Sequence, residues 1–206
     1  MNSIGSAIMC GGQSRRMGRS KALLRFGDET MIERTVRILA GCTSPIVVVA
    51  APEQDLPPLP HVTIACDPVQ ARGPLQGIAV GLAALEPNVT WAFISATDAP
   101  FLTAAYVMAL AELRDDATDI VVMHSDGYHH PLAALYRTRL HMKASELLAA
   151  DIRRPRALFE AAKTRVVDPD ELLRTTDLRE SDLASLRNMN TPDDYRAALT
   201  ELGFAE

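Results

Sequence analysis

Short apolar runs alternate along this chain with segments of helical spacing, and that alternation narrows the fold before any motif is considered. Ile46-Val47-Val48-Val49-Ala50 is the plainest case, a continuous apolar run of the kind found in parallel strands buried on both faces. Ile4–Cys10, His61–Cys66, Thr90–Ser95 and Asp119–Met123 read as further strands, with Arg165–Val167 at an edge. Between them lie helices. Thr30 caps Met31–Leu39, which sets Ile32, Val36 and Leu39 on one face and stops near Gly41. Gly73-Pro74 opens a helix through Leu85, since proline suits a first helical turn. Gly77 and Gly81 leave one face of that helix nearly bare, which permits close approach to a strand or to a ligand. Thr103 caps Ala104–Leu113, helices cover about Leu140–Ala150 and Pro155–Lys163, and Thr191 caps Pro192–Leu202. The proline-rich stretch Pro52–Pro60 is a loop, Ser125-Asp126-Gly127 a turn, Pro131–Tyr136 a short apolar segment, and polar Asp168–Leu186 a loop or a short helix. A mostly parallel central sheet with helices on both faces follows.

At 206 residues and 48% apolar content, residues 1–206 are expected to form one domain with a substantial core. A net charge of −5 gives no overall attraction for nucleic acid or an anionic membrane surface. Cys10, Cys42 and Cys66 lack metal-ligand spacing and suit a reducing compartment. No apolar run approaches the length of a membrane span, and the first residues do not read as a signal peptide, so a soluble, cytoplasmic protein is expected.

The first apolar run ends abruptly in Gly11-Gly12, followed by Arg15, Arg16, Gly18 and Lys21. Glycines let backbone N–H groups approach an anion, and the basic side chains add fixed positive charge. In a chain that is acidic overall, this reads as a local anion site, with a solvated arginine pair as the plainer alternative. It is not a P-loop, because Lys21 stands three residues beyond Gly18, and the adjacent glycines exclude the dinucleotide fingerprint.

Ligands of open parallel sheets collect beyond the carboxyl ends of the strands. Besides the glycine loop, Asp67, Asp98 and the stretch Asp126–His130 fall at such ends. A carboxylate facing a basic glycine loop suits a Mg²⁺–triphosphate complex, and Asp98 is the candidate ligand. Its alternative is capping the helix that follows, for which Thr103 is better placed.

The stretch I-M-C-G-G-Q-S-R-R-M-G-R-S-K (8–21) resembles the L-A-G-G-x-S-x-R-M-G-x-x-K signature of the molybdenum cofactor guanylyltransferases, within the nucleotidyltransferase superfamily. Met9-Cys10 replace Leu-Ala, and Ser20 stands where an aspartate is usual. The resemblance runs through nearly the whole chain. Gly73–Ile78 is similar to G-P-L-A-G-I, Asp98–Leu102 to D-x-P-F-[IL], His130–Tyr136 to the segment after the fifth strand, and Asn188–Asp194 to N-I-N-T-P-E-D. It implies a three-layer α/β/α, Rossmann-like nucleotidyltransferase fold. It also implies that Met9, Cys10, Gly11 and Gly12 meet the nucleotide, that Lys21 binds triphosphate and Asp67 the nucleoside, and that Asp98 serves both nucleotide and Mg²⁺. Arg16, Lys21 and Asp98 are the implied catalytic groups. His130, Pro131, Asn188 and Asn190 are candidates for the second substrate. Asn190 has a turn before the Thr191 cap as its alternative role, and for His129 and His130 the alternative to second-substrate phosphate contact is that of plain loop residues. Ala50 replaces a nucleotide-contacting asparagine common in relatives, and Gly11 stands on the GTP side of the family where cytidylyl relatives carry alanine.

The implied reaction is attack of the terminal phosphate of molybdenum-bound molybdopterin on the α-phosphorus of GTP, with pyrophosphate leaving. Positioning and charge neutralisation carry such a step, and an anionic phosphate nucleophile needs no general base. The implied partners are GTP, molybdenum-molybdopterin and, transiently, proteins that deliver or accept the cofactor. Competing readings are a cytidylyltransferase or other small-molecule nucleotidyltransferase of the same fold, or an inactive GTP-binding regulatory domain.

Overall fold

The computed structural model describes residues 4–11, 20–67 and 72–204. Its centre is a sheet in the order β10-β7-β9-β6-β1-β4-β5, with β8 paired to β7. These strands are β1 (Ile4–Met9), β4 (Ile46–Ala50), β5 (Val62–Cys66), β6 (Trp91–Ala96), β7 (Ile120–Ser125), β8 (Tyr128–His129), β9 (Ala134–Arg137) and β10 (Thr164–Val167). Strands β2 (Arg25–Phe26) and β3 (Glu29–Thr30) form a separate small hairpin. β1, β4, β5 and β6 run parallel, as do β7 and β10, whereas β9 lies antiparallel between β6 and β7. The apolar segment Pro131–Tyr136 therefore supplies a full sheet member. β8 and β9 both run antiparallel to β7, and the residues 126–133 between β7 and β9 are too few for the crossover that a parallel pairing needs.

Strand residues alternate between two cores. Ile4, Ile8, Trp91, Phe93, Val121 and Met123 face one side with α1 (Met31–Ala40), α3 (Ala104–Glu112) and α6 (Pro169–Thr175). Ala7, Met9, Ala92, Ile94, Ile120 and Val122 face the other with α2 (Pro74–Leu85), α4 (Leu140–Ala149) and α5 (Pro155–Glu160). The architecture is thus α/β/α around a mostly parallel sheet. The helix starts follow the sequence signals. Thr30 and Glu33 close a reciprocal capping box on α1, and Thr103 accepts from the Tyr106 N–H at 3.2 Å to start α3. The polar stretch after Asp168 holds α6, capped by Asp168 itself, and a 3₁₀ turn at Glu180–Leu186.

The bare face of α2 packs on strands. A Cβ on Gly81 would lie 2.7 Å from Ala7 Cβ, and one on Gly77 would lie 2.7 Å from Met9 Sδ. The helix backbone therefore sits directly on β1, the strand that leads into the glycine loop.

A third, smaller core decides the shape of the site. Helix α7 (Pro192–Glu201) packs on the small hairpin, with Phe26 edge-on to Tyr195 at 5.4 Å between centroids and to Phe204 at 6.2 Å. Met189, 1% exposed, plugs the same cluster and draws the segment before α7 across the carboxyl ends of β1 and β6.

Candidate active site

Three distant stretches meet where β6 ends. The Thr97 N–H donates to Met9 O at 3.3 Å, continuing the β6–β1 ladder by one residue and delivering Asp98 just beyond the sheet. The Met189 N–H donates to Asp98 O at 2.7 Å and fastens the segment before α7 to this turn. Lys21, at the start of a 3₁₀ turn (Lys21–Leu23), then closes the cluster. Its ammonium donates to Asp98 Oδ2 at 3.2 Å, Asn190 Oδ1 at 3.0 Å and Met189 O at 2.5 Å. Those three acceptors match the three donors of an ammonium. The Lys21 and Asp98 side chains are 18% and 25% exposed, so the pair is half-sheltered yet reachable from solvent.

Asn190 lies both in this cluster and in the turn before α7. Its side chain takes part in this cluster, while its backbone N–H donates to Asp194 Oδ2 at 2.8 Å in the cap of α7. Asn188 is exposed beside it. Asp98 is not a helix cap, since Thr103 does that work for α3.

The next strand ends form the other half of the cleft. The Cys10 N–H donates to Val49 O at 2.9 Å, which aligns the end of β1 with β4. The Asp67 N–H donates to Ala50 O at 2.8 Å and extends the β4–β5 ladder. Asp98, Gly11, Ala50 and Asp67 thus follow β6, β1, β4 and β5 in spatial order. Three strand spacings separate the outer pair, roughly 14 Å. Gly12 and Arg16 lie outside the described residues, as do the other loop positions between 12 and 19.

Gln54 is a residue that the sequence reading did not single out. Its side-chain nitrogen donates to Cys10 O at 3.1 Å and contacts Cys10 Sγ at 3.2 Å, while its side-chain oxygen accepts from the Ala51 N–H at 3.0 Å. A tight turn aims it there, with the Gln54 N–H donating to Ala51 O at 3.2 Å across Pro52 and Glu53. Pro52 fixes a negative φ at the second position and Glu53 has φ +58°, the combination of a type II turn. Glycine is the usual occupant of that third position, so the turn is held by its surroundings. Pro52 signals a turn in the sequence, but nothing local signals the reach of the Gln54 side chain. Burial pushes the Cys10 thiol up to about 12, against a smaller opposing effect of the Gln54 hydrogen bond, so Cys10 stays a neutral packing group.

His130 and Pro131 lie in the link between β8 and β9, along β7 and leading into the strand next to β6. Their contacts are local. The His130 ring is 2.8 Å from Ser125 Oγ, the His130 backbone N–H donates to Met123 O at 2.9 Å, and Tyr136 Oη donates to Pro131 O at 2.8 Å. His124 and His129 are cross-strand neighbours with ring centroids 4.9 Å apart, and His129 also meets Phe159. Burial lowers the pKa of both His129 and His130, the nearby Asp126 partly opposing it for His130.

Among the described residues no three His, Cys, Asp or Glu side chains gather to hold a metal on their own. The Lys21 ammonium nevertheless marks a cation position, because a carboxylate, an amide and a backbone carbonyl oxygen all converge on it. That oxygen-only donor set fits Mg²⁺, which uses one or two carboxylates and completes its shell with water and phosphate oxygens.

Comparison with known proteins agrees with this geometry. The family described as MobA-like NTP transferase domain matches residues 6–166. A probable molybdenum cofactor guanylyltransferase of Mycobacterium ulcerans is 37% identical over 199 residues, covering 95% of this chain and 92% of that protein. Among solved structures, molybdopterin-guanine dinucleotide biosynthesis protein A of Archaeoglobus fulgidus superposes with a TM-score of 0.78 at 21% identity, over 97% of this chain and 99% of the other. A Mycobacterium tuberculosis protein solved in complex with manganese gives 0.61 at 17% identity, over 96% and 98%. With a family match over residues 6–166 and relatives of this extent, the chain belongs to the MobA-like NTP transferase family, among the molybdenum cofactor guanylyltransferases of the nucleotidyltransferase superfamily.

Proposed function

We propose that residues 1–206 act as one unit that transfers GMP from GTP to the terminal phosphate of molybdenum-molybdopterin, forming the guanine dinucleotide cofactor and pyrophosphate. The observation that carries this reading is the convergence of Lys21, Asp98 and Asn190 at the ends of β1 and β6. A terminal phosphate oxygen forms the new bond to the α-phosphorus as the bond from that phosphorus to the β-phosphate bridging oxygen breaks. Asp98, with an oxygen from Asn190 or Met189, would hold Mg²⁺, which supplies neutralisation of phosphate charge when bound. Lys21 exchanges its present oxygens for those of the triphosphate, which keeps positive charge next to the leaving pyrophosphate. Arg16 adds a second positive group to the loop. Metal use is also supported by the manganese complex of a structural neighbour.

The base pocket would lie over Gly11 and Ala50, with Asp67 at the nucleoside. A Cβ on Gly11 would meet Ala51 N at 3.4 Å, an ordinary contact, so among the described residues packing does not demand glycine there, in keeping with room left for a purine. His130, Pro131, Asn188 and Asn190 frame the opposite flank for the pterin phosphate. The free cysteines fit a reducing cytoplasm, and no helix among the described residues is long and apolar enough to cross a membrane.

A nucleotide-selectivity assay tests the reading. With Mg²⁺ and molybdenum-molybdopterin, pyrophosphate should be released from GTP and not from ATP, CTP or UTP. Turnover from CTP alone would replace the guanylyl assignment with a cytidylyl one. Asp98→Asn should abolish turnover with unfolding unchanged, and full activity in that variant would remove Asp98 from the metal site.

A further inference from the structure

The Gln54 carboxamide bonds backbone groups of two neighbouring strand ends at the mouth of the cleft. It joins Cys10, the last residue of the first strand's run, to Ala51, the first residue after β4. In a trans peptide the C=O of one residue and the N–H of the next point in opposite directions. Drawing Cys10 O toward Gln54 therefore turns the Gly11 N–H the other way, away from Gln54. Among the described residues nothing else holds that carbonyl, and the Cys10 N–H already belongs to Val49.

We propose that Gln54 is a positioning residue for nucleotide binding, whose carboxamide sets the Cys10–Gly11 peptide so that the Gly11 N–H is presented to the nucleotide. This rests on the proposed function, in that the nucleotide is taken to lie over Gly11. The strained turn at Pro52-Glu53 gives Gln54 its reach, and Ala50 leaves the end of β4 without a polar side chain of its own. The recognition edge of this pocket is accordingly backbone, aimed from behind by a side chain that does not touch the ligand.

The test compares wild type with Gln54→Ala and Gln54→Glu, using direct titration with GTP and steady-state kinetics. Gln54→Glu keeps an acceptor for the Ala51 N–H but sets a carboxylate against Cys10 O. Both variants should raise the GTP Kd and KM on the order of tenfold, the worth of about one hydrogen bond, with kcat little changed. The Gln54→Glu deficit should narrow between about pH 8 and about pH 5, because a protonated carboxyl regains a donor, while the Gln54→Ala deficit should not. A fall in kcat at unchanged KM, or a Tm loss with unchanged GTP affinity, would overturn the proposal, since either describes a role other than aiming the nucleotide. If wild type binds CTP in place of GTP, the guanylyl reading fails while the same comparison, made with CTP, still decides the role of Gln54. Absence of any nucleotide binding by wild type overturns both.

Discussion

Gly81→Ala puts two opposing effects in direct competition. Alanine is a better helix former than glycine by about 1 kcal/mol, and Gly81 lies inside α2. The added methyl, however, would stand 2.7 Å from Ala7 Cβ, 3.2 Å from Met9 Cε and 3.3 Å from Val49 Cγ2. Carbon atoms rest at about 3.5–4.0 Å, so relief of the first contact needs a shift of roughly 1 Å. Met9 can rotate its terminal methyl. Ala7 cannot, because its Cβ is fixed by the β1 backbone, so helix and sheet must part. Overpacking of this kind costs typically 1–3 kcal/mol, and with an unyielding neighbour the upper half of that range applies. The net expectation is a loss of about 1–2 kcal/mol, or roughly 2–8 °C in Tm for a chain of this size. Gly77→Ala is the internal control. Its new methyl would meet only the Met9 side chain, at 2.7 Å from Sδ, and moving a thioether off its rotamer costs about 0.5–1.5 kcal/mol, close to what helix propensity returns. Thermal and denaturant unfolding followed by circular dichroism should place Gly77→Ala within about 0.5 kcal/mol of wild type and Gly81→Ala clearly below it. A Gly81→Ala protein as stable as wild type, or an inverted order of the two variants, would refute the argument that α2 rests directly on β1.

Other perturbations separate site from scaffold. Lys21→Ala should lower kcat/KM with GTP on the order of 10²–10³-fold, while unfolding changes by no more than about 2 kcal/mol because water can reach Asp98 and Asn190; stopped-assay kinetics beside chemical denaturation checks both. Thiol labelling of the native protein should modify exposed Cys66 quickly, half-buried Cys42 slowly and Cys10 only after unfolding, as read by mass spectrometry. His130 is held neutral in the fold, with Ser125, Asp126, His124 and His129 around it, so its pKa is depressed below its ordinary value of about 6.5. Its contribution to stability is fully present above that value and is lost as pH falls through the depressed one. Wild type should accordingly lose more Tm than His130→Asn between about pH 7.5 and about pH 5, and equal losses would contradict it.

Much of the layered architecture was legible locally, because period and capping are local. The continuous apolar runs became β1, β4, β5, β6 and β7, and Thr30, Thr103 and Thr191 start the helices that their spacing indicated. Strand polarity around β9 was not, since the antiparallel insertion depends on how few residues join β7 to β9 and on which sheet gap is vacant for them.

Within the site, the sequence named Lys21, Asp98 and Asn190 as separate motif positions. Only the tertiary structure joins them, across separations of 77 and 169 residues, and it does so through the small core of Phe26, Met189 and Tyr195 that carries α7 back to the hairpin. Gln54 shows the same limit more sharply, since a glutamine in a proline-rich loop carries no local sign that its carboxamide will reach the end of a strand 44 residues earlier. Side-chain type and spacing determine which elements form and which residues can do chemistry. Which of those residues share a cation or aim a backbone amide is decided by the packing of elements that are far apart along the chain.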